Sequence, residues 1–460
     1  MLWLIGISSS IVFIEPSPYE VMVLLAIIFF VATGLKFAPP LLVPTVLLIV
    51  LNSGYAISAI KLMDQQVIIF WILTSCYMAL TAIFFAVVML EDTKERLDAL
   101  SRGYVIGAVI ASLAGIAGYF QLIPGATDLL TFASRARGTF KDPNVLGAFL
   151  VYPAIYCICQ IIESPFWKAA RNTFALCIIC MAIFLAFSRG AWAIFVAASI
   201  ITTTLMYLTA TTRKRRVKIV MLVLTAVALA ALAIFIMLSF SSTADLFSER
   251  ASLSQPYDSG RYGRFGRHIL GAIMTLDYPF GIGPLQFHKF FPEDTHNSFL
   301  NAFMSGGWLS GVVYPALFFT TLIYAIRGLF VRTPWRSIYI AVFATFLVTL
   351  GESFIIDTDH WRHYFLLVGL VWGTVIAGHR LKPLHGFTAD VQFAYDLNRT
   401  RPRHPTEATP SQALAATASC AQSRSDGLKQ TARHQQRDER PRYPYPRLPG
   451  SSFEISQLNP

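Results

Sequence analysis

Apolar residues along this chain are gathered into blocks, with neither the strict alternation of a half-buried strand nor the one-sided stripe of a soluble amphipathic helix; the stretch from Val217 to Phe240 is almost unbroken. About 20 apolar residues in helical form cross the roughly 30 Å of bilayer hydrocarbon, and only helices or closed barrels satisfy their backbone polar groups there. Continuous blocks, in place of ten-residue alternations, select helices over a barrel. The pattern predicts an all-α polytopic membrane protein with about 12 transmembrane helices. They are placed at about Leu2 to Ile14, Glu20 to Leu35, Pro39 to Ile60, Val67 to Leu90, Tyr104 to Phe120, Asn144 to Ile162, Thr173 to Phe187, Ala191 to Ala210, Val217 to Phe240, Trp308 to Ile326, Ile338 to Phe354 and Tyr364 to Ala377. A long polar loop, residues 241–307, follows the ninth span and is expected to carry short helices. The membrane domain is expected to cover residues 1–378, with a polar tail over 379–460.

Composition narrows the class further. The 460 residues are 55% hydrophobic and 14% charged, and the mean hydropathy is +0.55, which excludes a soluble globular domain. Met1 to Phe13 has no basic start, and its apolar core runs into Glu15-Pro-Ser-Pro18, so it reads as a short first span or an interfacial helix instead of a cleaved leader. Five of the six cysteines lie in apolar runs, and the Cys177/Cys180 pair is flanked by membrane residues. Helix packing accounts for them without a disulfide framework or redox role.

Charge sets the orientation. Lys94, Arg96 and Arg102, then Lys168 and Arg171, the run Arg213 to Lys218, and Arg327, Arg332 and Arg336 all fall on one side, which the positive-inside rule makes cytoplasmic. The tail joins them: it holds 12 Lys/Arg against 7 Asp/Glu, is rich in Pro, Ser, Thr and Gln, and lacks an apolar period, which predicts a disordered, solvated segment with no nucleic-acid partner.

The opposite side carries the specialised polar segments: Phe132 to Asn144, Phe187-Ser-Arg-Gly190 and the long loop. Arginines kept on the translocated side are unfavourable for topology, and an anionic ligand would explain them. Arg189 sits where two apolar runs meet; snorkelling to headgroups is its alternative explanation. Arg261, Arg264 and Arg267 are three residues apart, a spacing that lines them along one side of a helix as donors for phosphate oxygens, although Gly263 and Gly266 weaken that helix. His296 falls just before an expected helix start at Asn297 and Ser298, where an imidazole stays neutral and able to accept a proton. Gly306-Gly307 interrupts that helix before the next span. Asp357, Asp359, His360 and His363 share a late external loop; with Trp361 and Tyr364 beside them, an interfacial aromatic belt explains the segment better than a metal site. Glu352, inside an apolar run, is expected to face the interior and pair with an arginine.

Taken in order, Arg137-Gly-Thr-Phe-Lys-Asp-Pro-Asn144, Ser188-Arg-Gly190, Ser259-Gly-Arg261, Pro279-Phe-Gly-Ile-Gly283 and His296-Asn-Ser-Phe-Leu300 resemble the O-antigen ligase and O-antigen polymerase superfamily of bacterial envelopes. The motifs cover about residues 137–308, and the tail lies outside the match. The resemblance implies a metal-independent, cofactor-free inverting glycosyltransferase in the bacterial inner membrane, with its active face in the periplasm and an undecaprenyl-diphosphate-linked glycan as donor. By that resemblance, Arg189 and Arg261 clamp the diphosphate and His296 is the general base on the acceptor hydroxyl. Arg137, Asn144, Asn297 and Arg264 are assigned to substrate binding, although Arg264, like Arg267 and His268, is a basic group the motif does not require. The acceptor is left open among lipid A core, another glycan and a protein hydroxyl. A transporter or flippase of lipid-linked glycan is the alternative reading; the sequence shows no matching halves of the kind many transporters have. A non-catalytic component of a polysaccharide secretion complex is a third.

Overall fold

The structure, a computed structural model, describes residues 1–14, 16–239 and 260–381. The tail from 382 onward and the stretch 240–259 of the long loop, with Ser259 of the motif series, lie outside the described residues. The chain runs α1 (Leu2–Ser8), α2 (Pro18–Thr33), α3 (Leu42–Ser58), α4 (Gln66–Val88), α5 (Thr93–Tyr119) and α6 (Thr127–Leu130). A two-strand hairpin, β1 (Thr131–Phe132) and β2 (Arg135–Ala136), precedes α7 (Pro143–Glu163), α8 (Phe166–Leu185), α9 (Arg189–Leu208) and α10 (Arg213–Leu238). After the long loop come α11 (Arg264–Asp277), α12 (Ser298–Leu329), α13 (Arg336–Glu352) and α14 (Arg362–Arg380).

Among the described residues, seven helices are long and apolar enough to cross a membrane: α3 with the turn before it, α4, α5, α7, α8, α9 and α12. The protein is therefore a mostly helical, multi-pass membrane protein. The first apolar segment departs from a continuous span. Its helix stops after seven residues, about 10 Å at 1.5 Å per residue, and the chain continues irregularly to residue 14. There the Val12 and Phe13 amides donate to the Thr139 carbonyl at 3.0 and 3.1 Å.

Burial separates centre from rim. In α7, 83% of the apolar stretch is enclosed by protein, against 28% in α8 and in α9, and α14 is buried from His363 to Gly378. The lipid-like environment is therefore met by the outer faces of α2, α3, α8, α9 and α12, where large apolar side chains such as Ile28, Ile49, Phe174, Ile200 and Ile323 are bare. In water this exposure would be costly; in hydrocarbon it is neutral or favourable.

One end of the bundle collects the starts of α2, α7, α9, α12 and α14, and local caps fix several of them. Asp142 accepts from the Asn144 amide at 2.7 Å with Pro143 at the first helical position. Ser188 caps α9, and Asn297 caps α12. Glu20 accepts from the Ser17 amide at 2.6 Å and also pairs with Arg362, tying α2 to α14. The other end carries the basic positions: Lys218 donates to the Ile161 and Ile162 carbonyls at the end of α7, and Arg215 pairs with Glu163.

Candidate functional site

The residue before the α12 cap, His296, is in the left-handed region at φ 46, a conformation that is strained for a side chain with a Cβ. Asp357 holds it there. The Asp357 carboxylate accepts from the Thr295 hydroxyl at 2.8 Å, the His296 amide at 3.0 Å and the Asn297 amide at 2.9 Å. Asn297 then turns its Oδ1 to the Phe299 and Leu300 amides at 3.0 and 3.1 Å, so this oxygen is committed to starting the helix.

The imidazole of His296 lies between two carboxylates without a hydrogen bond to either: Nδ1 is 3.7 Å from Asp357, and Nε2 is 3.9 Å from Glu293. Its side chain is 35% exposed, enough for a solute to reach it. Burial lowers its pKa below the ordinary histidine value, the Arg264 and Arg267 charges lower it further, and Glu293 and Asp294 oppose them. The ring is thus neutral at pH 7 and free to accept a proton. Asp357 moves the other way: burial and the neighbouring Asp359 raise its carboxyl, against the three hydrogen bonds it receives.

Helix α11 packs alongside. The expected line of three arginines is not one helical face, because Gly263 is the N-cap of α11 and Arg261 lies in the turn before it. Arg261 is exposed, its guanidinium 5.7 Å from the Tyr262 ring centre. Arg267 turns inward, 2% exposed, and donates to Glu293 at 2.7 Å and to the Tyr262 carbonyl at 3.1 Å. His268 Nε2 lies 2.9 Å from the Thr295 carbonyl, and burial lowers its pKa. Arg267 and His268 therefore support the His296 segment directly, a part the motif pattern does not give them.

The other motifs reach this end through α13. Glu352 is buried, and its Oε1 lies so close to Gly190 that a Cβ there would sit 2.7 Å away. The carbonyl of the next residue, Ser353, accepts from the Ser298 amide at 2.9 Å. Two consecutive residues thus join the Ser188-Arg189-Gly190 turn to the helix start beside His296. The Phe132–Asn144 segment attaches to the same turn: Arg135 donates to the Ala186 carbonyl at 2.8 Å and to Asn144 Oδ1 at 2.7 Å. Arg137, in contrast, is spent on carbonyls of its own segment, those of Asp128, Leu129 and Lys141. The Pro279–Gly283 turn docks further along α12, where Ile282 donates to the Met304 carbonyl at 2.7 Å and Trp308 to the Pro279 carbonyl at 2.9 Å. This docking seats on the break at Gly307, φ 65 and ψ −163, a backbone region open almost only to glycine.

The loop between α13 and α14 does more than supply a belt. Besides Asp357, it gives Asp359, which accepts from Asn301 of α12 at 3.0 Å and lies 3.0 Å from His360 Nδ1. The His360 ring in turn lies 4.2 Å from that of Trp71. Among the described residues, no group of three or more His, Cys, Asp or Glu side chains has metal-binding geometry. No protein-family model matches the chain, and no curated protein matches it.

Proposed function

We propose that this chain is a multi-pass glycosyltransferase of the O-antigen ligase or polymerase type, acting at the periplasmic face of the bacterial inner membrane. In this reading the twelve expected crossings comprise the seven long apolar helices, α2, α10, α13 and α14, and the first segment with its irregular continuation. The observation that carries the proposal is His296: a reachable imidazole of lowered pKa, on a backbone held by the Asp357 carboxylate, at the bundle end where the arginine-bearing motif turns meet.

In the proposed reaction, His296 takes the proton of an acceptor hydroxyl as its oxygen attacks the anomeric carbon of the donor sugar. The bond from that carbon to the carrier phosphate breaks, with inversion, and undecaprenyl diphosphate leaves with the electron pair. Arg189, Arg261 and Arg264 bring positive charge to the departing diphosphate, where charge-assisted hydrogen bonds are strongest in a partly dry site. A site at the end of a helical bundle suits a donor whose polyprenyl tail stays in lipid while its glycan reacts in water.

The test is reconstitution in vesicles with a polyprenyl-diphosphate glycan and a panel of lipid A core, glycan and peptide acceptors. Wild type is expected to form the transferred product, and His296→Ala and Arg261→Ala to lose most of it. Equal rates in the variants would remove the site assignment. Movement of donor across the bilayer with no product would establish the flippase reading instead.

A further inference from the structure

Helix α11 has a second face that the packing around His296 does not use. At 100° per residue, Phe265, Ile269, Ala272, Ile273 and Leu276 fall within a stripe about 100° wide, and the four large side chains among them are bare, at 54, 64, 58 and 68% exposure. Phe280, in the turn just beyond the helix, is also bare. The opposite side is keyed to the protein. Arg267 reaches Glu293, Gly271 lies against Phe287 and Leu300, and the Thr275 carbonyl accepts from the Trp308 indole at 3.0 Å. A helix fixed on one side and greasy on the other is stable in water only if something covers it.

We infer that α11 is an interfacial helix whose Phe265-Ile269-Ile273-Leu276 face is seated in the lipid leaflet at the His296 end of the bundle. Continuity identifies the occupant. The last turn of α11, which carries Leu276 of the stripe, is tied to Trp308 by the hydrogen bond to the Thr275 carbonyl, and Trp308 begins a bare apolar ridge on α12 that continues through Val312, Phe319 and Ile323, along a helix long and apolar enough to cross the membrane. Charge agrees with this placement: Arg261 and Arg264 lie at the N-terminal end of the stripe, at the depth where lipid phosphates sit when an apolar face enters about 5–10 Å into the headgroup and acyl boundary. Helix α11 thereby holds Arg264, and through Glu293 the His296 segment, at headgroup level. The inference depends on the membrane reading alone and stands or falls separately from the transfer reaction.

Two measurements on the full chain in phosphatidylcholine and phosphatidylglycerol vesicles test it. Wild-type protein with a diazirine-acyl phosphatidylcholine is expected to take up label on the peptide spanning Phe265 to Leu276 as heavily as on α12. Nitroxides placed through Ile269→Cys and Ile273→Cys, with native cysteines replaced by alanine, are expected to show an oxygen-to-nickel collision ratio several-fold above that of a Lys289→Cys nitroxide. An unlabelled α11 peptide, or nitroxides as open to the nickel reagent as the one at 289, would overturn the inference. Dipolar broadening between the α11 nitroxides of two copies would also overturn it, by assigning the face to a dimer.

Discussion

The Asp357 carboxylate accepts the backbone amide of His296 at 3.0 Å while standing 3.7 Å from its ring. One acid therefore sets the backbone shape of the candidate base and stands beside its ring. Asp357→Ala orphans three donors, each worth about 1–3 kcal/mol where water does not replace the partner. Thermal unfolding in detergent is expected to shift down by several degrees and transfer to fall at least as far as in His296→Ala. Asp357→Asn, which keeps an acceptor oxygen, is expected to recover part of the stability. Unchanged unfolding in Asp357→Ala would show that the loop needs no anchor.

The lowered pKa of His296 predicts a pH profile. Activity is expected to rise with pH through a value below the ordinary 6.5 and to be flat at neutral pH. Arg264→Gln removes one of the charges that lower it, so the acid limb is expected to move to higher pH, while the plateau falls because the same charge is assigned to the departing diphosphate. Stability follows the same sign. Above about 6.5 both folded and unfolded rings are neutral and the fold has its full stability; as pH falls below that value, the unfolded chain binds the proton first, so stability declines until the folded ring protonates as well. His268, also lowered, adds to this decline. A profile that is identical in wild type and Arg264→Gln would separate His296 from the rate.

Gly190 leaves room for the Glu352 carboxylate, and a methyl group there would stand 2.7 Å from Oε1. Gly190→Ala is expected to cost about 1–3 kcal/mol, as overpacking in a tight interior does. Because the obstructing atom belongs to one side chain, Glu352→Ala in the same chain is expected to relieve most of that cost. A double-mutant cycle on unfolding midpoints reads this directly, and strict additivity would rule out the contact.

Gly307 holds the break in α12, and any side chain there would meet Pro279 and Phe280 in a glycine-only backbone region. Gly307→Ala is expected to destabilise by about 1–3 kcal/mol from backbone strain alone and to release the Pro279–Gly283 turn. Faster amide exchange at Ile282, whose amide is bonded to the Met304 carbonyl, is the measurement. Protection equal to wild type would show that α12 straightens without losing the turn.

The helical class was legible in the sequence because bilayer thickness imposes a length on apolar blocks that no packing detail alters. So were the cap at Asn297 and the break before Trp308, since short-range backbone chemistry writes both into neighbouring residues. The three-arginine line was misleading: spacing assumes one continuous helix, and Gly263 moved the helix start past Arg261. The role of Asp357 is hidden in the sequence because its partners lie about 60 positions earlier, and a single sequence carries no local mark of such a pairing. Glu293 gave a clue that was available. It is an acid a few residues before His296, in the same loop as three arginines, and one of those charges needed a partner once it was buried.

The 61 positions that separate His296 from Asp357 also have a meaning in time. At ribosomal speeds of roughly 5–20 residues per second, the histidine segment emerges about 3–12 s before the acid that shapes it. During that interval α12 and α13 are made while residues 295–297 lack the Asp357 carboxylate. The chemistry proposed for this protein would therefore switch on only when the segment between α13 and α14 is delivered, which keeps a half-made chain from acting on lipid-linked sugars around it.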